Sequence, residues 1–583
     1  MKVNTSTGYR HDIDILKGLA IIAVFLYHAG YCKSGYLGVD VFLVLSGYLV
    51  IPKILCQIGE SRFGYFSFLE KRLFRLLPLV LLVSGVVLAI GYWVMLPGDY
   101  YYLSEEVVAA SVFANNILQS ITTQNYWAAI YHKVLMHTWY LGVLFQFYVL
   151  FPLLMLLLRR WMNHTLVVLT LVSLLLYLLP IDTIGDKYYL LPYRFFEISV
   201  GGLLAMTSRK SPSSLSFLSL GLLLFMIFFG AFTVGERSMP YNLVGGTNTI
   251  RESFLPREAL VLLTVLFTLM FLFFNSEKTR ISMIAQQSRL IAPLGRMSLS
   301  IFLWHQPIIA FYRYLYADNL SVVVLIMVAT FTLLLSFVTY ILIERRLRIS
   351  IASRLGLIIS FLLVVGFSLC VYNQGGAVRD VPELDIRKGA ADPKAFERYT
   401  DRIYRYDHDF TEDRTRKKIL VIGNSFARDF ANILLESPDS GSIQLSYHYG
   451  IEDCPVSRVQ ECDRIYFFGW KHQVPDVVWQ NLRPGTEVWG IGTKNHGSSN
   501  GIYYKNRYKT DYFEQRTAIN PDFIVVNHLF REEWQGKYVD LLSLTLQPDS
   551  TVLVFTPDHH FITYDGMHLT PAGTWFYAIL LEQ

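Results

Sequence analysis

The stretch ILKGLAIIAVFLYHAG, residues 15–30, is apolar enough for a membrane-spanning helix, but it carries Lys17 near its start and His28 near its end. Ionisable side chains are costly in lipid and usually face a protein interior or a water-filled cavity. The two residues are separated by about three helical turns, or roughly 16 Å of rise, so they share one face of the helix. The stretch therefore predicts a helix of a membrane bundle, with one face turned toward a polar site.

The composition extends this prediction to most of the chain. The 583 residues are 53% hydrophobic and only 17% charged, with a mean hydropathy of +0.36, whereas a soluble protein carries about a quarter charged residues. Apolar runs of about 20 residues, long enough to span a bilayer, occur up to residue 372, and a soluble composition follows. The sequence predicts a polytopic α-helical membrane bundle followed by an α/β domain. We place eleven spans at about 13–29, 36–55, 76–96, 137–158, 165–180, 193–207, 214–233, 256–275, 297–315, 320–343 and 355–372.

The distribution of Lys and Arg predicts the orientation of these spans. One set of loops collects most of them, including the clusters at 71–75 and 345–348, and the opposite loops hold only scattered ones. Because basic residues are enriched on the cytoplasmic side, we expect the N-terminus inside and, after eleven crossings, the C-terminal domain outside. Counting 105–119 as a span would invert every later loop, so we interpret it as an interfacial or re-entrant helix on the outer side. The first apolar stretch has no Ala-x-Ala exit and predicts no cleavable signal peptide.

Beyond residue 372 the sequence divides into a polar connector, 373–416, and a domain, 417–583. The connector is rich in charges and tyrosines, and it is either a linker or a small extension packed on the domain. In the domain, short apolar strands alternate with helical segments, which is typical of a parallel α/β sheet. Cys454 and Cys462 are predicted to form one short-loop disulfide there. The spacing of Cys and His fits no metal site, so we expect none.

Ser425 lies between a strand and a helix in VIGNSFA, residues 421–427. On such a turn the side chain projects outward, and the N–H groups of the helix N-terminus can stabilise an oxyanion. Asp565 and His568 stand three residues apart near the C-terminus. This spacing lets the carboxylate hold the imidazole that deprotonates Ser425. The alternative for Ser425 is a helix N-cap without a catalytic role.

These two blocks resemble the first and last blocks of the SGNH, or GDSL-like, hydrolase and acyltransferase superfamily. The first block is GNSFA, 423–427, and the last is DGMHLTPAG, 565–573. Asn424 stands where the family commonly has Asp, at a position that supports the turn and is not the nucleophile. The resemblance implies a three-layer, flavodoxin-like α/β domain with a Ser–His–Asp catalytic set.

The same resemblance implies an oxyanion hole built partly from middle blocks of the domain. In the family a glycine and an asparagine join the N–H of the serine. Gly450, after the second strand, and Asn495, in GTKNHG, are the candidates. The segment FFGWKHQ, 467–473, is an alternative for the third block.

The bundle carries its own polar segments, which in chain order resemble those of the type-3 membrane acyltransferase family. The family signature of Lys or Arg, ten residues and His falls on Lys17 and His28. Its other motifs appear as GVDVFLVLSG, 38–47, RLFRLLP, 72–78, and WHQP, 304–307. The resemblance covers residues 8 to about 350 and leaves 351–372 as an additional span.

One motif of the family is altered in this chain. Its fourth-helix motif usually contains a Glu at the position of Leu144. The acid that this Glu supplies is therefore absent or comes from elsewhere in the fold.

The resemblance implies acetyl-CoA as the acyl donor at the cytoplasmic face. Arg72 and Arg75 lie on that face, and guanidinium groups suit phosphates; the alternative is that they only anchor the helix there. His28 is the expected acyl acceptor or general base for thioester cleavage. We predict that His305 joins it and Lys17 in the donor site, and that Asp40 is the neighbour of His28.

Some polar residues of the bundle stay open between structural and functional roles. His28 could instead be a hydrogen-bonded histidine at a helix end, and His137 fits either role equally well. Arg194 and Glu197 have the spacing of an intrahelical ion pair, and we favour a structural role for them.

Together the two resemblances imply an O-acetyltransferase of the bacterial inner membrane, with a periplasmic outer domain. The acetyl group would pass from acetyl-CoA to Ser425 as an ester and then to a hydroxyl of a surface glycan. Lipid-linked lipopolysaccharide O-antigen is favoured over peptidoglycan or exopolysaccharide. In a second interpretation the outer domain is an acetyl esterase beside a separate acetyltransferase or exporter, and in a third the bundle is a glycan transporter with a binding module. Membrane lipids and a glycan are the expected partners, and nucleic acid is not.

Overall fold

The chain forms two compact units that divide between Tyr372 and Asn373, with the short segment Val94–Tyr101 grouping with the second unit. This division coincides with the end of the last apolar run in the sequence. The computed structural model describes residues 10–122, 133–180, 186–207, 215–230, 256–275, 280–288, 291–317, 319–389, 392, 395–413, 415–451, 453–497 and 500–582.

In its described residues, the first unit contains helices and connecting turns but no β-strand. Shorter 3₁₀ turns precede several helices, at Gly35–Leu37, Met136–Thr138, Arg159–Trp161 and Lys187–Tyr189, and a π-helical turn covers Tyr340–Glu344. The α-helices are α1 (His11–His28), α2 (Gly38–Gly59), α3 (Tyr65–Val94), α4 (Pro97–Ser111), α5 (Asn115–Thr122), α6 (Trp139–Leu157), α7 (Met162–Leu178), α8 (Leu191–Ala205), α9 (Leu215–Phe229), α10 (Arg257–Phe274), α11 (Arg280–Gln287), α12 (Ile291–Arg296), α13 (Ser298–Leu315), α14 (Val322–Thr339) and α15 (Ile351–Asn373).

A helix lies at each of the eleven predicted spans, although residue 214 and residues 231–233 of one span fall outside the described residues. Among the described residues, seven helical stretches are long and apolar enough to cross a membrane, which makes the chain a multi-pass membrane protein. The number of eleven crossings stays a prediction. These seven are Gly35–Gly59, Tyr65–Val94, Met136–Leu157, Arg159–Leu178, Arg257–Phe274, Val322–Glu344 and Ile351–Asn373.

The segment 105–119 does not form one continuous helix. Phe113 has a positive φ of 55°, and the chain turns there between α4 and α5. Neither helix reaches the roughly 20 residues that a bilayer requires. The two short helices agree with the prediction that this segment does not span the membrane by itself.

Helices α2 and α8 pack at very short distance because each presents a glycine to the other. A Cβ on Gly47 would lie 1.6 Å from the carbonyl oxygen of Ile198, and a Cβ on Gly201 would lie 2.1 Å from that of Val44. Only glycine tolerates such backbone contact. This close packing fixes which polar side chains of α2 and α8 meet.

The second unit contains a five-stranded parallel sheet in the order β2-β1-β3-β4-β6, in which each neighbour pair is parallel. The order reverses at β1, so the carboxyl end of β1 is a topological switch point, where α/β folds place their sites. A separate antiparallel pair is formed by β5 and β7. The strands are β1 (Lys417–Gly423), β2 (Ile443–Tyr449), β3 (Arg464–Phe468), β4 (Glu487–Ile491), β5 (Arg516–Ala518), β6 (Tyr538–Val539) and β7 (Thr551–Leu553).

Helices alternate with these strands, as the sequence predicts for an α/β domain. The 3₁₀ helices are Pro382–Leu384, Arg402–Tyr406, Pro438–Ser442, Lys471–Gln473 and Tyr512–Glu514. The α-helices are α16 (Ala395–Asp401), α17 (Ser425–Glu436), α18 (Val456–Glu461), α19 (Asp476–Gln480), α20 (Gly501–Tyr504), α21 (Pro521–Trp534) and α22 (Pro571–Glu582).

The connector 373–416 is packed on the second unit as an extension. Ile403 is fully buried in the core of the sheet domain. Arg402 forms an ion pair with Glu436, 2.6 Å away at the end of α17, and Arg428 pairs with Asp401 at 2.7 Å. The sequence leaves open whether the connector is a linker or a packed extension. In the structure it is a packed extension.

The predicted disulfide between Cys454 and Cys462 is not formed. Both residues are free, buried thiols on either side of the short helix α18. The Sγ of Cys462 instead donates to the carbonyl oxygen of Val459, 3.3 Å away. Burial raises the pKa of Cys454 to about 11 and that of Cys462 to about 12, so neither thiol ionises readily at neutral pH.

Candidate active sites

The first unit contains a cavity of about 640 Å³ bordered by α1, α2, α3, α6 and α13. Three predicted donor-site residues, Lys17, Arg72 and Arg75, all line it. Four further basic side chains contribute, so the cavity walls carry seven basic and two acidic residues. The additional basic residues are Lys53, Lys71, Arg296 and Arg345, and the acidic ones are Asp14 and Glu344.

This concentration of positive charge is suited to a polyanion, because Arg and Lys bind phosphate through charge-assisted hydrogen bonds. Sequence reasoning assigned several of these residues only to loop orientation. The structure gathers them around one cavity. Leu144, at the position of the missing family Glu, also lines it. Glu344 accepts a hydrogen bond from the hydroxyl of Ser300 and provides a carboxylate on the same cavity.

His28 and His305 are buried and in direct contact. Nδ1 of His28 lies 2.8 Å from Nε2 of His305, and the ring centroids are 4.9 Å apart. Nδ1 of His305 lies 3.1 Å from the carbonyl oxygen of Ile301, which can only accept a hydrogen bond. Nδ1 of His305 is therefore the protonated nitrogen, its Nε2 accepts from Nδ1–H of His28, and Nε2 of His28 keeps its lone pair.

His137 completes a group of three imidazoles next to the cavity. Its ring centroid lies 5.4 Å from that of His305 and 5.1 Å from that of Phe302. Phe302 in turn lines the cavity. The group thus lies one aromatic ring from the basic cavity, and it presents a lone pair on His28 as a base or nucleophile.

The prediction that Asp40 is the neighbour of His28 is wrong. Asp40 instead forms an ion pair with Arg194, whose guanidinium also lies 3.1 Å from Glu197. All three side chains are fully buried. Close packing of α2 on α8 brings Asp40 to Arg194, while α13 brings His305 to His28.

In the second unit, Ser425 is the first residue of α17 and follows the end of β1. The side chain of Asn424 is the N-cap, since its oxygen accepts from the N–H of Phe426 at 2.9 Å. Gly423 before it has φ +142°, and a Cβ there would lie 3.0 Å from Cβ of Phe468. Because Asn424 takes the capping role, the hydroxyl of half-buried Ser425 is left for other chemistry.

Asp565 and His568 form the predicted carboxylate–imidazole pair. Oδ2 of Asp565 lies 2.6 Å from Nδ1 of His568, and Oδ1 accepts from the N–H of His568 at 2.7 Å and of Met567 at 2.9 Å. Desolvation acts to raise the pKa of Asp565. The hydrogen bond from the imidazole of His568, its charge and the hydrogen bonds from two backbone N–H groups outweigh this effect and lower the pKa to about 2. The carboxylate is therefore ionised at neutral pH and fixes the imidazole with Nε2 as its free nitrogen.

The two predicted oxyanion residues differ in their surroundings. The N–H of Gly450 donates to the carbonyl of Gly423 at 3.0 Å, so it is not available as an oxyanion donor, because the ladder between β1 and β2 continues past Tyr449. Asn495 is buried, and its Oδ1 accepts from the N–H groups of Gly497 and Asn520, each at 3.2 Å. This leaves the amide NH₂ of Asn495 as the group that can donate.

Gly469 of the alternative block 467–473 follows β3, the strand adjacent to β1. The ring of Phe468, just before it, stacks on that of Phe426, the residue after Ser425, with centroids 4.8 Å apart. Gly469 thus follows a residue that packs against the nucleophile turn, and this favours its segment over Gly450 as the source of a glycine N–H.

Buried His496 makes the stability of the second unit sensitive to low pH. It is buried, with Nδ1 3.2 Å from the carbonyl of Leu553 and Nε2 2.9 Å from the hydroxyl of Tyr577. Burial, and to a smaller extent the charge of Lys494, lower the pKa of His496 to about 4. The folded state therefore binds fewer protons than the unfolded state between about pH 6.5 and pH 4, and stability falls as the pH is lowered through this range.

We expect the free energy of unfolding of the second unit to fall by about 3 kcal/mol from His496 alone between pH 7 and pH 4. Thermal melting of the full chain across this pH range measures it. His496→Gln should flatten the dependence, because an amide can make both hydrogen bonds without titrating. The same substitution at His472, which is 61% exposed, should change nothing. A pH dependence that is identical in His496→Gln and the unaltered chain would contradict the assignment.

Comparison with known proteins identifies the family of the first unit. A family model described as an acyltransferase domain matches residues 10–341. BcsY of Komagataeibacter xylinus, which carries the name of a membrane-bound transacylase, is 29% identical over 339 residues, covering 58% of this chain and 82% of that protein. No solved structure matches the chain.

Two further relatives are named as O-acetyltransferases. O-acetyltransferase OatA of Staphylococcus aureus is 28% identical over 367 residues, which is 59% of this chain and 58% of OatA. Peptidoglycan O-acetyltransferase OatA of Listeria monocytogenes is 27% identical over 338 residues, which is 52% of this chain and 50% of that protein. The match thus spans about half the length of these two relatives. Since the family model covers more than half of the chain, this protein belongs to the acyltransferase family and is an acyltransferase of the membrane.

Proposed function

We propose that the protein is an O-acetyltransferase that takes acetyl from cytoplasmic acetyl-CoA and transfers it to a hydroxyl of a cell-surface glycan. The observation that carries the outer step is Ser425 at the switch point of the sheet, whose hydroxyl is not used to cap α17, in a domain that also holds the Asp565–His568 pair. The membership of the first unit in the acyltransferase family supports the inner step.

The donor half of the reaction uses the basic cavity. Its seven basic side chains would hold the phosphates of acetyl-CoA. The lone pair on Nε2 of His28 then serves the thioester as acceptor or general base. If His28 is the acceptor, a C–N bond forms at the acetyl carbonyl, the C–S bond breaks, and CoA leaves as a thiol.

The acceptor half uses Ser425 as nucleophile. His568 removes the hydroxyl proton, and Oγ attacks the carbonyl of the acetyl group while Asp565 orients the imidazole. The bond between the acetyl carbon and the group that carried it from acetyl-CoA then breaks, and that group leaves with the proton from His568. The acetyl–enzyme ester is then attacked by a sugar hydroxyl, whose proton passes to His568, and Ser425 is released. The N–H of Ser425, the N–H of Gly469 and the amide of Asn495 are the donors for the oxyanion.

The acceptor glycan is proposed to be lipid-linked O-antigen, on the periplasmic side of a bacterial inner membrane. Peptidoglycan and exopolysaccharide are the alternatives, and the Listeria relative is named for peptidoglycan. A second candidate function is an acetyl esterase outer domain. It would use the same Ser425, His568 and Asp565, but it would remove acetyl rather than add it.

We test the proposal by NMR and mass analysis of acetyl groups on purified surface polysaccharides from cells with and without this chain. We expect acetyl esters on one polysaccharide fraction to disappear in cells that lack it. The fraction affected, whether O-antigen, peptidoglycan or exopolysaccharide, identifies the acceptor. More acetyl in its absence would instead indicate the esterase, and identical acetyl in all fractions would contradict both functions.

A further inference from the structure

Lys494 and Asp429 form a buried ion pair in the second unit. Nζ of Lys494 lies 2.7 Å from Oδ2 of Asp429, and the two side chains are 0% and 1% exposed. Asp429 lies on α17, one turn after Ser425. Lys494 lies in the loop after β4, next to Asn495. The pair therefore joins two of the three segments that carry candidate catalytic groups.

The same two side chains also hold the third segment. Nζ of Lys494 donates to the carbonyl oxygen of Met567, and Oδ2 of Asp429 accepts from the N–H of Leu569 at 3.2 Å. Met567 and Leu569 are the residues on either side of His568. The backbone of His568 is thus attached at both sides to one ion pair.

Lys494 is also fixed relative to the nucleophile turn. Its Nζ lies 4.3 Å from the ring centroid of Phe426, the residue after Ser425. Cation–π contact of this kind is attractive and directional. The ammonium group therefore has contacts with the Ser425 turn, with α17 and with the His568 segment at once.

We propose that Lys494 and Asp429 are positioning residues, which set the imidazole of His568 at the distance from Ser425 that proton transfer requires. The inference rests on the proposed roles of Ser425 and His568. A buried ion pair is weak evidence for stability, because desolvation offsets the attraction between its charges. Its directional hydrogen bonds suit it to hold catalytic groups within a fraction of an ångström, which a reactive geometry needs.

The test uses the full chain in detergent with the paired substitution Lys494→Met and Asp429→Asn. Both charges are removed together, so no buried charge is left alone, and the new amide oxygen can still accept from Leu569. Two readouts are taken on the folded protein. Hydrogen exchange measured by mass spectrometry follows the amides of 566–570, and a fluorophosphonate probe reports the labelling rate of Ser425 against pH.

We expect the amides of 566–570 to exchange at least about tenfold faster and labelling to slow at least about tenfold. The pH of half-maximal labelling should not move, because the Asp565–His568 contact is untouched. The paired control Arg402→Met and Glu436→Gln removes an ion pair at the far end of the same helix and should change neither readout.

Exchange that stays slow at 566–570, or labelling at the unaltered rate despite faster exchange, would overturn the proposal. A melting temperature close to that of the unaltered chain, combined with slow labelling, supports positioning over a merely structural role. A third result is that the probe does not label Ser425 in the unaltered chain, while the amides of 566–570 exchange faster in the paired variant than in the control. This result still supports the anchoring of His568 by the ion pair. In that case it is the proposed nucleophilic role of Ser425 that fails.

Discussion

Replacing Ser425 by alanine is expected to reduce acetylation of the surface glycan at least about 10³-fold, because loss of the nucleophile removes the acyl-enzyme route. The hydroxyl of Ser425 is not the cap of α17, since Asn424 caps it. The substitution should therefore change stability by only about 0.5 kcal/mol or less. Acetyl on purified glycan from cells that express the variant at the normal level measures the effect.

Ser442→Ala is the matched control for this prediction. Ser442 is an exposed serine of the same domain, and its hydroxyl donates to the carbonyl of Asp439. This variant should acetylate normally. Normal acetylation by Ser425→Ala as well would remove any catalytic role for that serine. Excess acetylation would assign the outer domain to ester hydrolysis.

The second large effect is expected at His28. His28→Gln should lower CoA release from acetyl-CoA by roughly 10² to 10⁴-fold, the usual contribution of a catalytic imidazole. Glutamine can still donate to Nε2 of His305, so the buried hydrogen bond is kept while the basic nitrogen is lost. Release of the free CoA thiol by the purified full chain in membranes measures the first step directly.

His164→Gln provides the control, since His164 is an exposed residue on α7 and is not among the described residues that line the basic cavity. Ser425→Ala should still release CoA, at least for one turnover, if the two steps are separate. If His28→Gln releases CoA at the normal rate, then thioester cleavage depends on the hydrogen bond to His305 and not on the basic nitrogen of His28. That result would contradict a catalytic His28.

The pairing of His28 with His305 illustrates the limit of sequence reasoning in the bundle. The motifs identify both residues, and Lys17, Arg72 and Arg75 as well. They do not state which side chains touch, and the sequence-based choice of Asp40 fails. Residues 28 and 305 are brought together by α1 packing near α13, whereas the partner of Asp40 is fixed by the glycine contacts of α2 and α8.

In the outer domain, too, the sequence predicts contacts between neighbouring residues but not contacts between distant ones. The turn that exposes Ser425 and the Asp565–His568 pair follow from sequence neighbours, so their residues could be predicted. Gly450 fails as an oxyanion donor because its N–H is used by the strand beside it. Lys494 carried no motif, and only its burial against Asp429 makes it stand out.

The sequence by itself determined the two-part organisation, the helical character of each predicted span and the candidate nucleophile with its base. These rest on hydropathy over about 20 residues, on strand–helix alternation and on spacings within one turn, all of which are local. Only the tertiary structure decided which charges share the basic cavity, which imidazoles touch and what holds His568 in place. Those contacts join residues that are tens to hundreds of positions apart, and close packing of helices and strands, which no local pattern encodes, brings them together.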